Sequence, residues 1–117
     1  MHTPLNAKKD LVAKYERHME DEDRAPRHID GQVRAVTFML EGAATMGDVS
    51  LLTLQTRKAK LKSKSVRTRR FYVSATRTFF RWLIAAGLWD PTKNHAGRLQ
   101  MPKANGEADR RRWPPTP

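Results

Sequence analysis

The residues best placed to do chemistry in this chain are arginines. Arg70, Ser74, Arg77 and Arg81 recur at i, i+4, i+7 and i+11, which sets them on one stripe of a helix, with Arg67 at its edge. Guanidinium groups in a row suit a repeating anion, because each can bind phosphate oxygens through paired N–H groups. A helix also has the width to enter a DNA major groove, where arginine can read guanine. No catalytic set competes with this reading. His2, His18, His28 and His95 are scattered without the HExxH spacing of a metal site, and there is no P-loop, nucleophile elbow or glycine fingerprint. Carboxylates cluster only at Glu20, Asp21, Glu22 and Asp23, the pattern of a solvated loop rather than of an acid–base pair. The expectation is binding without catalysis, and without metal or cofactor.

The charge distribution points the same way. Of 117 residues, 23 are Lys or Arg and 12 are Asp or Glu, for a formal net charge of +11. Residues 1–48 hold seven basic against nine acidic side chains, whereas residues 49–89 hold ten basic side chains and no acid. Residues 90–117 hold six against three. A field this polarised steers a protein onto a polyanion, and nucleic acid is the expected partner. The bland alternative is a solvated basic face. Arg67, Arg69 and Arg70 add to the argument, since cations in the first turns of a helix oppose its dipole, at a cost of a few tenths of a kcal/mol each, roughly. A phosphate docked there reverses that sign.

The elements that must carry these residues are helical. Thr3-Pro4 reads as a helix entry, and Leu5, Val12, Tyr15 and Met19 share a face, predicting a first helix from Pro4 to Glu20. Ile29, Val33, Val36 and Leu40 predict a second from Pro26 to Glu41, closed by Gly42 and followed by a loop to Gly47. Leu51, Leu54 and Leu61, with Leu52 beside them, predict a shorter third helix from Leu52 to Leu61. Lys58, Lys60, Lys62 and Lys64 fall on it and just after it. A long fourth helix spans Ser65 to Gly87, capped by Ser63 or Ser65. Its apolar arc centres on Phe80 and takes in Val66, Val73, Thr76, Leu83 and Ile84, widened by Tyr72 and Phe79. Trp89-Asp90-Pro91 makes a turn, and Asn94 to Leu99 is expected to form one or two helical turns.

With no alternating strand pattern, the fold class is all-α, a compact four-helix bundle. Residues 1–103 form the domain, and 104–117, with Arg110 to Arg112 and three prolines, read as a basic tail or interdomain linker. No apolar run approaches a membrane span and no secretory signal opens the chain. The absence of cysteine fits an intracellular protein. Aromatic residues Tyr72, Phe79 and Phe80 fall on the buried arc. Phe71 and Trp82 lie on the far side, where base stacking competes with packing.

The segments Ser65-Val66-Arg67-Thr68 and Ala75-Thr76-Arg77-Thr78-Phe79-Phe80-Arg81-Trp82-Leu83, followed by Gly87, carry a family likeness. So do Asn94-His95-Ala96, Leu99 and Pro102-Lys103. Over roughly residues 5–103 the chain resembles the SAM-like core-binding domain of the tyrosine recombinases, the phage-integrase family. Arg69 and Thr76 stand where that family usually has apolar residues, and His95 where it has proline.

The resemblance implies a clamp on double-stranded DNA at a recombination core site, with the second and fourth helices on the major groove. It assigns Arg27, His28 and Arg34 to the second-helix contribution. Arg67, Thr68, Arg70, Ser74, Arg77 and Arg81 belong to the fourth, with Lys62, Lys64 and Ser65 leading into it. It further implies that other recombinase protomers are partners, that the setting is a bacterial or phage-infected cytoplasm, and that catalysis belongs to a separate C-terminal domain. On that basis Tyr15 and Tyr72 are core residues, not nucleophiles. A helical module whose basic face meets an acidic protein partner, regulating a recombinase or host factor, is the alternative from another class, and RNA binding is a third.

Overall fold

The computed structural model describes residues 4–102, which form four α-helices and, among the described residues, no strand. Helix α1 spans Pro4–Asp21, α2 Pro26–Leu40, α3 Leu51–Ala59 and α4 Val66–Ala85. Short 3-10 turns at Met46–Asp48, Pro91–Lys93 and His95–Arg98 complete the chain. Thr3, the side chain of Leu5 and the tail with Arg110 to Arg112 lie outside the described residues. No described helix is long and apolar enough to cross a membrane.

Capping fixes the helix starts. Ser65 has extended backbone and accepts the Thr68 N–H at 3.1 Å, so it, rather than Ser63, begins α4. Ser50 does the same for α3 through Thr53 at 3.2 Å, which starts that helix one residue earlier than its leucine spacing predicts. Helix α4 ends in a Schellman motif. Gly87 takes φ +76°, its N–H reaches the Ile84 carbonyl at 3.0 Å, and Leu88 N–H reaches Leu83 at 2.8 Å.

The end of α2 differs from expectation. Gly42 is not left-handed; the only described glycine with positive φ is Gly87. Gly42 sits where space is tight: an added Cβ would lie 3.0 Å from Thr53 Cγ2 and 3.1 Å from Arg57 Cδ, so those side chains would have to shift by a few tenths of an ångström. Two cations satisfy the carbonyls at this helix end. Lys8 of α1 donates to Leu40 and Ala43 oxygens at 3.1 and 2.6 Å, and Arg57 Nε of α3 donates to Phe38 oxygen at 2.9 Å. Arg57 also lies over the Phe38 ring, 4.1 Å from its centroid, and pairs with Glu41 at 3.0 Å.

Helix α4 is the central element, packed against the other three helices and the His95–Arg98 turn. Val73, Ala75, Thr76, Phe79, Phe80 and Leu83 are buried on it, facing Tyr15 and Met19 of α1 and Ile29, Ala35, Val36, Met39 and Leu40 of α2. Each fully buried Phe contributes about 1.5–3 kcal/mol relative to exposure. The buried arc is rotated from the predicted one. Ala75 enters it while Val66 and Ile84 are only half-buried, because α2 meets α4 at Phe71, one turn before Ala75 on the same face. Thr76 is tolerated in the core because its hydroxyl donates to the Tyr72 carbonyl at 2.8 Å. Trp82 is likewise packed, 5.3 Å from the Tyr15 ring and 5.4 Å from the His18 ring, while Phe71 stays at the surface.

Gly87→Ala should lower stability by about 1–2 kcal/mol, measured as the urea midpoint. Nothing lies within 4 Å of the added Cβ, so the cost is the left-handed backbone alone.

Candidate nucleic-acid interface

The arginine stripe of α4 runs between two neighbours, and they divide it. On one side the C-terminal segment crosses the helix. Arg77 Nη2 donates to Leu99 oxygen at 2.9 Å and Arg70 Nη1 to Pro102 oxygen at 2.5 Å, while Lys58 Nζ of α3 reaches Gln100 oxygen at 2.7 Å. Buried Ala96, Leu99 and Pro102 seat the same segment against α3 and α4. Arg70 and Arg77 were expected on an open stripe. The structure half-buries both, because residues 99–102 bring backbone carbonyls over them.

On the other side the stripe meets α2. The Phe71 ring lies against Gly31, 3.4 Å from where a Cβ on that glycine would sit. Positions three and four residues away share a helix face. Around Gly31 these include Arg27, His28 and Arg34; around Phe71 they include Arg67, Thr68 and Ser74. The Gly31–Phe71 contact therefore brings the second-helix and fourth-helix sets together on one surface, along which Arg27, His28, Arg34, Arg67 and Ser74 are exposed. Arg81 is exposed further along the stripe, donating to Thr78 Oγ1 at 3.3 Å.

Not every member contributes free charge. Arg34 is held by Asp30 at 2.6 Å in an exposed i, i+4 pair, which neutralises it locally. Ser65 and Thr68 spend their hydroxyls on each other at 3.1 Å while Ser65 caps the helix. Lys62 and Lys64 are exposed in the turn between α3 and α4.

Arg69 sits near the middle of the predicted apolar arc of α4, and its Nε is buried with no hydrogen-bond partner; so is the Nε of Arg77. The crowding of these cations is felt by Lys58. Burial, and then the charges of Arg69 and Arg77, lower its ammonium pKa below the ordinary 10.5. The folded state thus binds its proton less tightly than the unfolded chain does. Stability gains as pH rises from the lowered value toward 10.5.

Sequence reasoning missed Lys58, Arg57 and Lys8 as carbonyl donors, since their partners are distant in the chain. The phenol of Tyr15 is pushed up by burial, against smaller opposing pulls from Arg24 and Arg81, and donates to Gln32 Oε1 at 3.3 Å. It is a neutral core hydroxyl. Among the described residues no group of three or more His, Asp or Glu could hold a metal ion.

No family model, curated protein or solved structure matches the chain.

The division of the stripe separates stability from surface charge. Arg77→Met should cost about 1–2 kcal/mol in urea unfolding, because the Leu99 carbonyl loses its donor. Arg81→Met should stay within about 0.5 kcal/mol of the parent.

Proposed function

We propose that this chain binds duplex DNA through the surface where α2 and α4 meet. The observation that carries the reading is the Gly31–Phe71 contact, which puts the faces of α2 and α4 that bear Arg27, His28, Arg67 and Ser74 on one surface, with Arg81 exposed further along α4. The adjoining residues 49–89 supply no acid to oppose a phosphate. Exposed cations on two crossed helices can straddle a phosphate backbone while one helix enters the groove. The cations in α4's first turn, costly to an isolated helix, gain a counter-ion in the bound state.

The residue pattern shared with core-binding domains extends this proposal. The chain is then the SAM-like DNA-clamping half of a tyrosine recombinase of phage-integrase type. It acts at a recombination core site inside the cell, alongside further protomers. In that arrangement it supplies affinity and register, and strand cleavage belongs to a separate catalytic domain. Arg70 and Arg77, occupied by carbonyls of residues 99–102, act mainly by holding that segment in place, and Arg67 and Arg81 carry more of the phosphate contact.

Gel-shift titration with a short duplex across salt concentrations tests this. Affinity should fall steeply with salt, and Arg67→Ala with Arg81→Ala should lower the slope of log K against log salt by about 1.8. The urea midpoint should hardly move. A parent affinity that ignores salt would remove the proposal.

A further inference from the structure

A second basic feature lies off the α2–α4 surface. Gln55, Lys58 and Ala59 of α3, Lys62 of the following turn and Arg69 of α4 line a cleft of about 280 Å³. At roughly the small end of the range for ligand pockets, that volume suits one compact group with its waters rather than a large organic molecule. Three of its five lining residues are cations. Among the described residues, no carboxylate forms an ion pair with Lys58, Lys62 or Arg69.

The donors are unevenly used. Arg69 Nε is shut off from water and bonded to nothing. Lys58 spends one of its three N–H donors on Gln100, leaving others for the cleft. Gln55 and Lys62 are exposed at its mouth. The cleft also adjoins the first turn of the 20-residue α4, whose dipole adds positive potential. A set of like charges held together by packing, with no anion of the chain's own, attracts an external counter-ion.

We infer that the α3–α4 cleft is a phosphate-binding pocket, held by Arg69 and Lys62 with Lys58 and Gln55 completing the donor set. A tetrahedral oxyanion fits this geometry because its oxygens accept in several directions at once, from a guanidinium edge, two ammonium groups and an amide. The group is supplied either by a backbone phosphodiester of bound DNA, in which case the pocket rests on the reading above, or by free phosphate. The pocket itself stands without DNA.

The test uses the full chain and inorganic phosphate, titrated against chloride at matched ionic strength. Readouts are backbone amide shifts and the thermal midpoint. Phosphate should move the amides of Gln55, Lys58, Lys62 and Arg69 and raise the midpoint beyond the chloride control. Arg69→Met, which keeps the buried stem, should abolish the phosphate-specific effect. Lys62→Gln, at an exposed position, should weaken it several-fold and serves if Arg69→Met does not fold. Equal responses to phosphate and chloride overturn the pocket, whatever the gel shift shows.

A duplex arm distinguishes the source. If Lys62→Gln also lowers the salt slope of duplex binding by about one, the occupant is a backbone phosphate. If phosphate binds and the slope is unchanged, the pocket takes free phosphate.

Discussion

The structure depends on backbone carbonyls receiving the cations of a region that has no acids of its own. Between residues 49 and 89 there is no Asp or Glu to neutralise ten Lys and Arg side chains. Arg57 docks on the end of α2, where the last carbonyls are unpaired and the dipole is negative, and takes Glu41 there as its ion-pair partner. Lys58, Arg70 and Arg77 dock on Gln100, Pro102 and Leu99. Charge-assisted bonds of this kind are stronger than neutral ones, and here they join segments from 19 to 42 residues apart. Residues 99–102 are thereby seated on α3 and α4.

That partition links packing to function. Arg57, with a side chain only 14% exposed, is committed to the fold. Arg27, His28, Arg67 and Arg81 stand in water, where bringing an anion to them costs little rearrangement. Arg69 is the intermediate case. Half-buried at the α3–α4 cleft, it places its charge beside Lys58 and Lys62.

Much of the fold was legible because the signals are local. The period of Val73, Phe80 and Leu83 marks α4, a serine at 63 or 65 its start and Gly87 its end, each read from a few neighbouring residues. The arginine stripe of α4 was visible for the same reason. What the sequence hid is long-range. Nothing in the pattern around Arg70 and Arg77 shows that residues 99–102 will cross them, and nothing near Gly42 shows that Thr53 and Arg57 will press on it. The rotation of the α4 arc toward Ala75 likewise follows from where α2 lies. Phe71 and Trp82 were ambiguous because both sit opposite the core arc. They separate only once α1 covers Trp82 and α2 offers Gly31 to Phe71.

The central claim is that the α2–α4 surface receives the nucleic acid. Amide shift mapping with a short duplex at low salt tests it directly. The account predicts that the largest shifts fall between Arg27 and Arg34 and between Arg67 and Arg81, with the acidic corner from Glu20 to Asp23 unmoved. Shifts centred on Lys8, Lys9 and the rest of α1, with the α2–α4 surface silent, would contradict it.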